Sequence, residues 1–385
     1  RVTLAVENAG GPDLQRNEAS LLAVLAADFR MRLGRFREWN VVERDGPQPP
    51  YVTVRLTLMP MGNRTDLLVE VLREEDGILV WSEFIDTPTD AWDSKLRPVL
   101  MNIANALSVV VADRSRDDTN ASVYDRWLKS QALLDAWSPE TEGEALGMLR
   151  AITTEAPRFG PAHAELAGAL NVRHILLPGT YQTEDVKQTA LHHALEAVSI
   201  DPLDTRAHRV LAWCYCHKRE FELAEFHFEQ ALRLNRQSPL TLASSALGFA
   251  FSGNLERAAD LVAETRANTD TMERFHLVYL AAADYLLGNH AEAERQCAKA
   301  RGLMATVGGW HAAALCKIGE DARASARLSE YVAEVGALWQ GAVPPDEQAV
   351  RSWFVSVFPL RDNEARCDLE RTLARIGRQD CDPPS

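Results

Sequence analysis

The chain has 385 residues, 46% hydrophobic and 25% charged, enough for two domains or one extended array and too apolar to remain disordered. Its formal net charge of −14 excludes a phosphate-backbone grip as the work of this segment. No apolar run is long enough to cross a bilayer, and no signal peptide is visible.

Residues 2–7 (VTLAVE) form a short apolar run that predicts a buried strand. A turn cluster follows, and residues 18–33 place Leu21, Leu22, Val24, Leu25, Phe29 and Leu33 at helical spacing. A second strand is predicted over residues 39–44. Alternation then predicts a three-stranded meander over residues 51–59, 67–72 and 78–85, with turns at 61–65 and 74–77. Residues 90–111 carry Leu96, Val99, Leu100, Ile103, Ala106, Leu107 and Val110 on one face of a closing helix. Residues 1–113 are thus expected to form an α+β domain, a mixed sheet with two helices. A polar linker spans 114–121.

Beyond the linker the pattern is helical throughout. Tyr124, Trp127, Leu128, Ala132, Leu133 and Trp137 open this region, and Ala145, Leu149 and Ile152 lead to Pro157. Ala164, Leu166, Ala167 and Leu170 mark the next helix. Residues 175–184 (ILLPGTYQTE) are longer than a helix turn requires, and read equally as a contact loop or a tolerated insertion. Ala190, Ala194 and Ala197 follow, closed by Pro202. In residues 205–237, Leu211, Ala212 and Tyr215 lie on one face of a first helix, and Ala224, Phe228, Ala231 and Leu232 on one face of a second. Small residues let two helices cross closely, and large ones fill the space beside them. Leu242, Ala246, Phe249, Gly253 and Ala258 repeat the pattern, as do Leu277, Leu280, Ala281, Gly288, Ala293, Cys297 and Ala300. After Ala300 the periodicity decays. Helices are still predicted over 303–317, 321–335 and 349–358, with a capping helix over 363–376.

The order Leu-Ala, Tyr, Ala, Phe, Ala over roughly 34 residues resembles the tetratricopeptide repeat. Residues 122–378 are therefore expected to form an all-α solenoid. The opening Leu4-Ala-Val-Glu-Asn8, the stretch Gly77-Ile-Leu-Val-Trp-Ser-Glu-Phe84 and the helix after it resemble a bacterial module called TolB-N-terminal-like or FlgO-like. This chain lacks the Pro-Phe pair usual in that module's opening strand. The junction Tyr124-x-x-Trp-Leu128 with Trp137-Ser-Pro-Glu140 resembles the way such modules join their repeats.

Motifs for chemistry are scarce. No Walker or dinucleotide glycine loop, Gly-x-Ser-x-Gly elbow or His-Glu-x-x-His helix occurs, so neither catalytic residues nor a cofactor are expected. Cys214-Tyr-Cys216-His217 invites a soft metal, but residues two apart on a helix point in different directions. Cys214 is expected to face inward, Cys216 and His217 elsewhere, and no metal site is assigned. His192-His193 beside Glu196 is expected to be a solvated face. Cys214, Cys216, Cys297 and Cys316 read as small apolar residues, which favours a reducing, cytoplasmic setting.

By the resemblance, the first helix of each pair would line a concave groove. That face would carry Arg206, Arg209, Trp213 and His217, then Phe251, then Phe275 and Tyr285, an aromatic channel with a cationic end. Such a channel suits a protein or peptide partner with an acidic element. A small-molecule effector and a homodimer stay open. The two-part architecture resembles the C-terminal portion of bacterial regulators whose output domain is a winged-helix DNA-binding domain of the CadC or OmpR kind. That implies a sensory and protein-interaction region serving an output domain outside this sequence. The regulatory half of a class III adenylate cyclase, an envelope-side assembly scaffold, and a periplasmic sensor part of a membrane-anchored regulator are the alternatives.

Overall fold

A computed structural model describes residues 2–9, 16–36, 39–61, 64–86, 96, 99–100, 102–103, 106–107, 122–135, 138–267 and 274–376. The predicted linker, Val110 and Trp137 lie outside the described residues. The chain divides into two compact units, residues 1–129 and 130–385.

The first unit is a five-stranded sheet in the order β2-β1-β3-β4-β5. β1 (Val2–Asn8) and β2 (Trp39–Val41) are parallel, and α1 (Arg16–Leu33) falls between them in sequence. β1 also pairs in parallel with β3 (Val52–Met61), so the amino-terminal strand is interior. β3, β4 (Arg64–Arg73) and β5 (Leu79–Asp86) form the predicted antiparallel meander. Its register puts Val54 opposite Val71, Leu56 opposite Val69 and Leu58 opposite Leu67, all buried. A one-residue slip would turn this whole set to the other face. Leu22, Leu25, Phe29 and Leu33 of α1 and Leu96, Val99, Leu100, Ile103 and Leu107 join the same core. Val24, placed at helical spacing with the core residues, is instead 66% exposed on the opposite side of α1. β2 is also shorter than predicted, because its pairing with β1 ends at Val41 and a turn at Glu43 and Gly46 follows.

The second unit is built from helical hairpins. Described residues 96, 99–100, 102–103 and 106–107 of the first unit are helical, and after them come α2 (Val123–Asp135), which begins before residue 130, α3 (Pro139–Glu155), α4 (Gly160–Leu176), α5 (Glu184–Ile200), α6 (Thr205–His217), α7 (Phe221–Leu234), α8 (Pro239–Phe251), α9 (Leu255–Ala267), α10 (Arg274–Leu286), α11 (His290–Lys299), α12 (Thr306–Lys317), α13 (Asp321–Leu338), α14 (Glu347–Ser356) and α15 (Asn363–Arg375). Residue type sets the boundaries. Ser138, Thr183, Asp204, Ser238, Asp346 and Asp362 cap helix starts with side-chain oxygens. The turns after α8, α10 and α12 each use a glycine in the left-handed region, Gly253, Gly288 and Gly319. Arg219 takes the same conformation after α6 at φ 63°, the one non-glycine among the described residues to do so. Although the sequence pattern fades after Ala300, the hairpins continue to α15.

Ala212, Ala224, Phe228 and Ala231 are each 0% exposed, as close helix crossing requires. Gly248 of α8 lies against the ring of Phe228, where a Cβ would strike the ring itself. Gly248→Ala is therefore expected to destabilise the chain by about 1–3 kcal/mol through overpacking. Gly147 on α3 has open space around it, and Gly147→Ala is expected to stabilise by about 0.5–1 kcal/mol through helix propensity alone. Paired urea titrations would read the opposite signs, and equal effects would refute the packing account.

Candidate functional site

The first helices of the hairpins, α4, α6, α8, α10, α12 and α14, carry the predicted face. On α6, Arg206, Arg209 and Trp213 stand at i, i+3 and i+7, and all three are half-buried. The Arg206 guanidinium pairs with Glu165 of α4 at 2.6 Å. The charge of Arg209 reaches His276 and Tyr279 of α10. Trp213 donates its indole N–H to Ser244 Oγ at 2.8 Å and sets its ring edge-on to Phe228 and Phe251.

At His217, Phe251 and Tyr285 the predicted channel is not open, and that expectation is corrected. His217, Phe251 and Tyr285 are buried, while Phe275 begins α10 with its side chain outside the described residues. Their covering comes from the chain itself. Phe251 packs on Phe358, beyond α14, at 5.8 Å between ring centroids. Tyr285 packs on Trp310, which contacts Phe354 and Phe358. His217 meets the ring of His174 edge-on, and His174 bonds the carbonyl of Val357. The residues following α13 thus run across the first-helix face.

Of the insertion read at 175–184, residues 177–183 form the loop between α4 and α5, and its main chain bonds this same segment. The carbonyl of Pro178 accepts the Gln340 N–H at 2.8 Å. The carbonyl of Thr180 accepts the Trp353 indole N–H at 3.2 Å. Gly179, at φ 82°, lies under the Trp339 ring, where a Cβ would come within 2.6 Å. Glycine is required there on both counts.

Titratable groups are buried in structural pairs. His163 donates Nε2–H to the carbonyl of Pro157 at 3.1 Å and faces His193 Nδ1 across 2.9 Å. His208 repeats this with Pro202 at 2.9 Å and His227 at 3.0 Å. A carbonyl has no proton to give, so His163 and His208 hold theirs on Nε2, and their bare Nδ1 accepts from the partner ring. His193 is thus not the solvated residue expected, although His192 is exposed. Burial lowers His193 and His227 to about 4, with the neighbouring histidine adding to the effect. Cys214, Cys216 and His217 are all buried, so the inward burial expected of Cys214 extends to the other two. Burial pushes the Cys214 thiol up to about 12, away from metal or redox chemistry. Among the described residues no group of three or more potential ligands could hold a metal ion. Asp284 is fully buried and its carboxyl is pushed up to about 6 by burial, against the pull of Arg266, Asn289 and Gln296. It ties α9, α10 and α11 together.

No protein-family model matches the chain, and neither does any curated protein. Solved helical-repeat structures are similar to it in part. A thermophilic tetratricopeptide-repeat protein of Thermus thermophilus is 18% identical with a TM-score of 0.38, over 54% of this chain and 99% of that one. PilF of Pseudomonas aeruginosa is 17% identical with a TM-score of 0.36, over 56% and 93%. The human IFIT1 dimer solved with m7Gppp-AAAA is 12% identical with a TM-score of 0.48, over 76% and 81%. No described helix is long and apolar enough to cross a membrane.

The histidine pairs make stability depend on pH. Both lowered histidines stay neutral when folded, whereas the unfolded chain binds protons near 6.5. Their contribution is complete above that value and is lost as pH falls through about 4. Asp284 acts in the opposite sense, taking up a proton while folded. The melting temperature is expected to fall from neutral pH toward about 4, and His193→Gln with His227→Gln to flatten the slope. An unchanged slope in the double variant would refute this assignment.

Proposed function

We propose that this chain is a non-catalytic sensory and protein-interaction region of a bacterial regulator, and that its partner docks on α6 at Arg206, Arg209 and Trp213. The observation that carries this reading is the half-burial of these three residues beside Phe251, which the chain's own Phe358 covers. Arginine and tryptophan concentrate binding energy when a partner completes their burial. Arg206 already holds a carboxylate, Glu165, so an acidic side chain of the partner would meet a guanidinium placed for that chemistry. The regulatory role follows from the resemblance of residues 1–113 and the repeats after them to the C-terminal portion of winged-helix regulators. In that reading this chain senses, and DNA contact belongs to the output domain. The net charge of −14 supports that division of labour.

Crosslinked capture from the source organism should return a partner that is lost from Arg209→Glu and weakened by Trp213→Phe, with both variants retaining helical circular dichroism. Retention of the same partner by both variants would refute the docking face. The isolated chain should leave promoter DNA unshifted in a mobility assay. Sequence-specific shifting by this chain alone would overturn the sensory assignment.

A further inference from the structure

The segment between α13 and α15 has the features of a bound peptide. Its anchors lie far away in sequence, 183 residues from Val357 to His174 and 139 from Arg361 to Glu222. Apart from the Arg361–Glu222 ion pair, its hydrogen bonds to the α4–α8 repeats run to or from main-chain groups. The carbonyl of Val357, the C-cap of α14, receives His174 Nε2–H at 3.1 Å. The carbonyl of Phe251, the last residue of α8, receives the Arg361 N–H at 2.8 Å. The Trp353 indole reaches the carbonyl of Thr180. Between these bonds, Phe354 enters the space left by Gly309, where a Cβ would come within 2.5 Å of its ring. Phe358 closes over Phe251 and Trp310. Main-chain bonds with side chains in successive pockets are how repeat surfaces hold an extended or helical ligand.

The segment is held at both ends and loosely attached before α14. Trp339 and Gln340 are fixed on the 175–184 loop, and α15 packs on α12 through Thr372, Arg375 and Cys316. Between Gln340 and α14, residues 341–346 are mostly exposed and include Pro344-Pro345. At the far end Arg361 makes an exposed ion pair with Glu222 at 2.7 Å, and its guanidinium lies 5.5 Å from the Phe221 ring centre. Such a tether keeps the segment at high effective concentration, so modest contacts hold it closed.

We propose that residues 353–361 are a tethered ligand of their own repeats. The same face accepts, in trans, a partner helix with adjacent aromatics, a third aromatic four residues further on and a cation after a proline break. This deepens the partner-docking reading and rests on it. The strap and the α6 row meet at Phe251 but are tested by different variants, so the two readings can fail separately. Binding of such a helix displaces the strap, and the apparent affinity is reduced by the fraction of chains that are open.

The test uses the full chain. A labelled peptide with the sequence of residues 346–362 is titrated into the wild type, into Arg361→Glu and into Arg361→Glu with Glu222→Arg. Arg361→Glu sets two carboxylates face to face and should tighten peptide binding about threefold to tenfold by weakening the strap. The double reversal restores the strap's own ion pair and sets the peptide's Arg361 against an arginine, so binding should fall to the wild-type level or below it. A peptide with both Trp353→Ala and Phe354→Ala should not bind. Hydrogen exchange of the unliganded chain should show residues 353–361 opening while α6 and α8 stay protected. Absence of peptide binding in all three proteins, or exchange of 353–361 only together with α6 and α8, would overturn the proposal. The segment would then be the last hairpin of the solenoid and nothing more.

Discussion

Helix α8 has no charged side chain, and every residue from Thr241 to Phe251 is buried. Such a helix has no face for water and must be surrounded. α7 and α9 cover its hairpin sides, with Phe228 against Gly248 and Ala258 and Leu261 in the same core. What remains is the first-helix side, where a solenoid leaves its helices open. Phe358 and the main chain of Arg361 cover it. α12, buried from Thr306 to Cys316, poses the same problem and receives Phe354, Phe358 and α15. Burying Trp353, Phe354 and Phe358 contributes about 1.5–3 kcal/mol each, an upper range against an extended unfolded chain. Two apolar first helices thus demand a covering segment, and the C-terminal part of the same chain supplies it.

The hairpins were legible because their determinants are local. Ala212, Ala224, Phe228 and Ala231 lie within one repeat, and the turn glycines recur at Gly253 and Gly288. The meander was legible for the same reason, since alternation and a glycine turn act within a dozen residues. The strap was not, because Val357 meets His174 across 183 residues and no periodicity reports such a contact. One signal did exist. PLTLASSALGFAF and TVGGWHAAALC contain no Asp, Glu, Lys or Arg, and a helix without charge is enclosed rather than a channel wall. Phe251, read as channel lining, belongs to one of these helices. The histidine pairs also left a trace, since His163 and His208 each follow a proline by six residues.

Polar groups in the solenoid set register between helices. His163 with His193 and His208 with His227 each join two helices through a bond that needs one bare nitrogen facing one N–H. A proton on the accepting Nδ1 of His163 or His208 would place two donors face to face, so the bond specifies a tautomer as well as a geometry. Asp284 is the carboxylate counterpart on α10, accepting from Arg266 of α9 and from Asn289 and Gln296 at the cap and in the body of α11. Such networks are costly to leave half satisfied, which ties the order of the hairpins to their full assembly. These perturbed groups hold helices together, so a strongly shifted titration in this chain marks architecture.

A partner reading must therefore begin from what the chain leaves uncovered. Trp213 is the point where two demands meet. Its ring edge is used internally against Phe228 and Phe251, and its indole N–H is committed to Ser244. In the proposed docking reading, a partner adds only to the face that remains, beside Arg206 and Arg209. Phe251 touches both Trp213 and Phe358, so the α6 row and the strap share one aromatic side chain. Any shift of Phe358 changes the packing behind Trp213. Coupling between the two surfaces follows from that contact, because a close-packed ring cannot move without its neighbours answering.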